Sequence, residues 1–184
     1  MTAEDVLEIL DRLDAAGVDW WVEGGWGIDA LLGEATRAHD DLDLAVLRSD
    51  IGRLERVFPE FERVDEEWWP ARFVLRDARG RQVDFHGISF DERGDAWQEL
   101  VGGGRAFRPA AGMAGTGRIG DRTVRCVTAE LQVRFHDYPD PDDVDWDDMR
   151  VLCERFALAP PPAYARRPGH VDPKRSAARP RRRP

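Results

Sequence analysis

Apolar residues recur at helical spacing at the start of the chain, where Val6, Ile9, Leu10 and Leu13 fall on one stripe of a helix predicted over 3–16. Thr2 can cap it, Glu4 and Asp5 suit its positive end, and Gly17 is a stop signal. The period then shortens. Residues 18–22 predict a short buried strand running into Glu23-Gly24-Gly25, and 26–32 a short helix closed by Gly33. Residues 42–47 alternate aspartate with aliphatics as a second strand, and 50–58 form a helix cut off by Pro59. Two further strands, 72–76 and 82–86, join around Ala78-Arg79-Gly80 in a hairpin. From 91 to 120 the periodicity is lost, and the glycines at 102–104 and between 112 and 117 predict a loop-rich excursion. A strand over 122–127 leads to a helix capped by Thr128. A last helix begins at Asp145 or Asp147, with Met149, Leu152, Cys153 and Phe156 facing inward.

This pattern divides the 184 residues into a mixed core over 1–122, a helical part over 123–160 and a Pro/Arg-rich tail over 161–184 expected to be disordered. Hydrophobic residues at 42% and seven tryptophans suffice for a buried core. No window approaches the roughly 18 apolar residues of a membrane span, and the acidic start is unlike a signal peptide, so a cytoplasmic protein without a membrane partner is expected. Cys126 and Cys153 have neither metal nor disulfide-framework spacing and read as semi-buried thiols. Charge is uneven. Residues 166–184 carry eight Lys/Arg against Asp172, a charge of +7, which against the net −9 leaves −16 on the first 165 residues. An acidic body argues against a nucleic-acid partner, although the basic tail keeps that open. It allows attraction of cationic small molecules, and equally serves solubility alone.

The candidate chemistry lies between Glu23 and Leu44. Side chains two apart on a strand share a face, so Asp41 and Asp43 project together while Leu42 and Leu44 point into the core. Such a pair suits a magnesium ion, which takes carboxylates together with substrate phosphates. Asp84, between Val83 and Phe85, is a candidate third acid. The plainer reading of the pair is a solvent-facing strand edge or a helix cap. Gly24-Gly25, between a strand and a helix start, offers bare amides and a positive helix end to a phosphate; its plainer reading is a tight turn. The pair is neither a Walker loop nor a dinucleotide fingerprint. A phosphate cradle shortly upstream of paired acids is the layout a phosphoryl or nucleotidyl transfer site requires.

The run from Gly24 to Gly33, with Thr36-Arg37, His39 and Asp41-Leu42-Asp43-Leu44, resembles the aminoglycoside 2″-adenylyltransferase and lincosamide nucleotidyltransferase branch of the DNA polymerase β-like nucleotidyltransferases. The resemblance extends through Asp84, the stretch 120–126 and the acidic segment ending in Val144-Asp145-Trp146, covering most of 1–158. It implies an α+β nucleotidyltransferase fold, a small mixed sheet with flanking helices and a helical C-terminal part. It also implies transfer of a nucleoside monophosphate from a nucleoside triphosphate, ATP foremost, to a hydroxyl of a small, cationic acceptor such as an aminoglycoside or lincosamide. By position, Asp41, Asp43 and Asp84 would hold two Mg2+ ions, with Asp84 as ligand or base. Gly24 and Gly25 would hold the triphosphate, with Thr36, Arg37 and His39 near the nucleotide.

Further candidates face the acceptor. Glu23 either touches it or ends the strand; His86, on the face of Asp84, either orients the acid or the acceptor or is a packed or solvent-facing histidine. Trp26 and the pair Trp68-Trp69 either stack on a base, frame the acceptor pocket or fill the core. Asp145 and the acidic run around it would suit a polycation, and equally suit a Pro-containing turn and a helix start. Rival readings are a protein- or RNA-modifying nucleotidyltransferase and a non-catalytic, toxin–antitoxin-type nucleotide-binding module.

Overall fold

The structure is a computed structural model that describes residues 1–65, 68–100 and 102–165. Helix α1 (Ala3–Ala15) is held at its start by a capping box between Thr2 and Asp5 and buries Val6, Ile9, Leu10 and Leu13. The chain reverses at Gly17, whose φ of 63° suits a residue without a Cβ. Strand β1 (Trp20–Glu23) runs directly into α2 (Gly24–Leu32), which ends on Gly33 in the left-handed conformation. Then follow β2 (Asp41–Leu47), a 3-10 turn and α3 (Ile51–Val57), β3 (Glu62–Asp65), β4 (Arg72–Arg76) and β5 (Gln82–Phe90).

Three strands, β6 (Ala96–Glu99), β7 (Arg105–Arg108) and β8 (Gly115–Ile119), occupy the stretch whose sequence predicts loops. The glycines misled because they serve strands. Gly102 and Gly103 turn the β6–β7 hairpin with φ of 87° and 93°. Gly117 lies in β8 because α2 packs on it so closely that a Cβ would stand 2.3 Å from the Ala30 carbonyl oxygen. Strand β3 is short, partly exposed and bulged, and carries no alternation to betray it.

The strands form one mixed nine-stranded sheet ordered β3-β4-β5-β2-β1-β9-β8, with β9 spanning Arg122–Cys126 and the β6–β7 hairpin joined to the far end of β5. Strand β2 is antiparallel to β1 and parallel to β5. The residue-122 boundary read from the sequence falls on the first residue of β9, which pairs with β8 and β1. Helices α4 (Ala129–Phe135) and α5 (Asp143–Phe156) pack on α2 through Ile28, Ala129, Met149 and Leu152. Helix α5 starts earlier than its sequence predicts, because Asp142 caps it; Phe156 lies in its last turn and is exposed rather than inward. Tyr164 returns to bury itself beside Trp146. The basic tail from 166 onward lies outside the described residues. Among the described residues no helix is long and apolar enough to cross a membrane.

The sheet's two faces divide the labour. Leu42, Leu44, Val46, Val83, Phe85, Phe73, Leu75, Trp20 and Val22 build the main core with α1 and α3. The alternate positions Asp41, Asp43, Asp84, His86, Glu23 and Arg72 therefore emerge on the opposite face.

Candidate active site

Strand register sets the acids in a row. Glu23 stands opposite Asp43 across β1–β2, and Asp43 opposite Asp84 across β2–β5. His86, two residues along from Asp84, places Nε2 3.5 Å from Asp43 Oδ1 and 3.7 Å from Asp84 Oδ1. Among the described residues, Asp43, Asp84 and His86 form the group whose ligand atoms converge within 4.8 Å. Asp41 is not in that tight set; it lies one strand repeat away, half-buried, with Gln82 Nε2 3.5 Å from its Oδ2.

Asp84 is buried, and Arg72, opposite His86 across β4–β5, donates from Nε to Asp84 Oδ2 at 2.9 Å. Asp84 Oδ1 is buried without a hydrogen-bond partner. Burial pushes the Asp84 carboxyl up despite His86 and Arg72, and burial followed by the Asp43 charge pushes Asp41 up. An orphaned carboxylate oxygen on Asp84 beside the Asp43 carboxylate is a donor set that fits a hard cation.

The glycine pair meets this row directly. Gly24 has φ of 59°, and a Cβ on it would stand 2.0 Å from Asp43 Oδ2. A Cβ on Gly25 would stand 2.4 Å from His39 Nδ1 and 2.8 Å from Arg37 Nη2. Helix α2 starts here, and its N-cap Glu23 makes no side-chain capping bond, so the first-turn amides have no cap of that kind. Bare amides at a helix N-terminus suit an anion.

Arg37 and His39 crowd Gly25 at the start of α2, while Thr36 reaches Asp29 further along it, and each has partners of its own. Asp29 of α2 accepts from the Thr36 amide at 3.1 Å and hydroxyl at 2.5 Å, and its other oxygen meets buried His39 Nε2 at 2.6 Å. This acid latches the 33–40 connection to the helix. Arg37 forks onto Asp148 of α5, with Nε 3.0 Å from Oδ1 and Nη2 2.7 Å from Oδ2. The acidic run thus supplies Arg37 with a counter-ion, while Asp142 and Asp145 cap α5 reciprocally.

Of the acceptor-facing candidates, Glu23 is buried and paired with Arg108 of β7. Trp26 is buried against His39 at 4.9 Å between ring centroids, away from the open cleft. That cleft has a volume of about 420 Å3; Glu23, Gly24, Asp43 and His86 are among its lining residues, along with Trp68, Phe135 and Tyr138. Asp145 does not line it, but burial and then the Asp145 carboxylate raise the pKa of the cleft tyrosine, Tyr138. Trp69 packs on Phe73 with Arg63 over its ring at 3.8 Å. Arg72, Gln98, Arg108 and Tyr138 are polar groups of the site that the sequence pattern does not single out. Register of the 72–86 hairpin would have placed Arg72; Gln98 and Arg108 carry no local signal.

A family model for aminoglycoside-2″-adenylyltransferases matches residues 5–152. The chain belongs to this family. A 2″-aminoglycoside nucleotidyltransferase of Klebsiella pneumoniae is 46% identical over 164 residues, covering 83% of each chain. A lincosamide resistance protein of Staphylococcus haemolyticus is 28% identical over 156 residues, covering 83% of this chain and 94% of its own. Among solved structures, a lincomycin-bound lincosamide antibiotic adenylyltransferase superposes with a TM-score of 0.75 at 25% identity, over 83% of this chain and 96% of its own. A second, ANT(2″)-Ia with adenylyl-2″-tobramycin, gives 0.66 at 23% identity over 84% and 88%, a likeness of fold. The α+β nucleotidyltransferase fold expected from the sequence is the one observed. The protein is an adenylyltransferase-like nucleotidyltransferase, which removes the non-catalytic rival reading.

Proposed function

We propose that the protein transfers a nucleoside monophosphate, from ATP foremost, to a hydroxyl of a small cationic acceptor of the aminoglycoside or lincosamide class, releasing pyrophosphate. The observation that carries this is the orphaned, buried Asp84 Oδ1 beside Asp43, which lines the open cleft. In this reading Asp41, Asp43 and Asp84 hold two Mg2+ ions, which when bound neutralise phosphate charge and acidify the attacking hydroxyl. The first-turn amides of Gly24 and Gly25, which have no side-chain cap, cradle the triphosphate. Arg72 holds Asp84 by one oxygen, leaving the other for a cation, and the proton of the acceptor hydroxyl passes to solvent as it attacks the α-phosphorus. The new phosphorus–oxygen bond forms as the bond to pyrophosphate breaks. Thr36, Arg37 and His39 act by holding the 33–40 connection against α2 near the nucleotide, and no enzyme-bound covalent adduct is required. Trp68, Phe135 and Tyr138 give the acceptor apolar and aromatic walls. Residues 1–122 and the helical part 123–160 act as one unit, because the cleft draws on both.

Asp43→Asn tests the assignment. The variant should fold, retain weakened nucleotide binding, and lose turnover by at least about 100-fold, as removal of a key electrostatic group does. Undiminished turnover would reject the acidic row as the transfer site.

A further inference from the structure

We propose that Gln98, oriented by Arg108, is a positioning residue that fixes the proton of neutral His86 on Nε2, facing the Asp43 and Asp84 carboxylates. The inference rests on the reading of this acidic row as the transfer site, and it assigns a task to the β6–β7 hairpin.

The argument follows from donors and acceptors alone. Arg108 Nη2 donates to Gln98 Oε1 at 2.6 Å. A guanidinium has no acceptor, so this contact decides which end of the amide is oxygen. The amide nitrogen must then be the end that faces His86 Nδ1 at 3.1 Å and the Ala71 carbonyl at 3.3 Å. Turning the amide over would set its NH2 against the guanidinium and its oxygen against the Ala71 oxygen. Gln98 therefore presents an N–H to Nδ1, which must be the bare, accepting nitrogen. Despite its burial, Asp43, Glu23 and Asp84 push the His86 pKa up, so the neutral ring is the alkaline form; in that form its single proton lies on Nε2, which faces Asp43 Oδ1 and Asp84 Oδ1.

Arg108 is itself fixed. It is 3% exposed, pairs with Glu23, and lies 4.4 Å over the Phe135 ring. The Glu23–Arg108 pair brings no net charge beneath the cleft, so the whole chain Glu23–Arg108–Gln98–His86 serves orientation. Two consequences follow. His86 presents an N–H to the acids rather than a cation ligand, because Nε2 holds a proton and Nδ1 is taken; at 3.5 and 3.7 Å it makes no hydrogen bond to them and leaves Asp84 Oδ1 unpartnered. Asp43 and Asp84 are left as the ligating members of the converging group, an oxygen-only set suited to a hard ion.

The tautomer is directly observable. The full-length chain has four histidines, so a 15N-histidine correlation spectrum at alkaline pH, assigned against His86→Gln, isolates the ring. Native His86 should show a bare Nδ1 and a protonated Nε2. Gln98→Glu keeps the shape but replaces the amide donor with an acceptor, so it should move the proton to Nδ1. The kcat should fall about 10–100-fold, the range for loss of a partner that orients an active-site histidine, with nucleotide KM little changed. A proton on Nδ1 in the native protein overturns the proposal, as does Gln98→Glu that leaves both tautomer and kcat unmoved. The native spectrum alone decides the point if the variant misfolds. Should the tautomer prove as stated while the native enzyme transfers nothing to any acceptor, the positioning stands and the transfer reading fails.

Discussion

Gly24 and Asp43 touch across the β1–β2 pair: the glycine's missing side chain is the space that Asp43 Oδ2 occupies, with 2.0 Å between that oxygen and an ideal Cβ. Gly24→Ala would displace the carboxylate from the row and strain a backbone with φ of 59° by about 1–2 kcal/mol. Because a misplacement of about 1 Å at a reacting centre can remove about 100-fold in rate, the variant should retain its fold by circular dichroism and lose at least that much kcat. Activity within a few fold of native would show that Asp43 tolerates displacement.

The Arg37–Asp148 fork ties the 33–40 connection to α5, and Asp148 is 6% exposed. Arg37→Met leaves a buried acid unpaired and should cost about 1–3 kcal/mol in chemical denaturation. Adding Asp148→Leu should recover most of that stability without restoring nucleotide KM, since the loop's anchor is still gone. Full recovery of both would mean the pair serves stability alone.

Cys126 is fully buried, and burial pushes its thiol up to about 12 from an ordinary 9.0. Its neutral form is favoured in the fold, so this contribution to stability is intact below about 9 and is lost as pH rises towards about 12. The native protein at neutral pH should resist iodoacetamide at Cys126 and react fully once denatured, as mass spectrometry can count. Rapid labelling of the folded protein would contradict its burial.

The legible parts of the fold were those in which local period and local chemistry agreed. The stripe Val6, Ile9, Leu10, Leu13 and the alternation from Asp41 to Leu47 each specify an element and its buried face. The shared face of Asp41 and Asp43, and of Asp84 and His86, follows from a period of two. Glycine was the source of error from 91 to 120: the same residue that makes a turn at Gly102 makes a close helix–strand approach at Gly117, and only the distant Ala30 distinguishes them. The site was half legible for the same reason. Its acids lie on two adjacent strands of plain alternation, whereas the partners that orient them, Arg72, Gln98 and Arg108, arrive through register and through a hairpin far along the chain. Asp145 and Asp148 show how one acidic run divides its work, one residue capping a helix and the other pairing with Arg37.

The central claim is nucleotidyl transfer at the Asp43–Asp84 row, and the mass of the product tests it most directly. The purified full-length protein is incubated with Mg2+ and each nucleoside triphosphate against aminoglycosides and lincosamides, and the acceptors are weighed. An acceptor heavier by one nucleoside monophosphate, with matching pyrophosphate and no such product from Asp43→Asn, is the predicted result. Unmodified acceptors throughout, from a folded protein that binds Mg–nucleotide, would contradict small-molecule transfer.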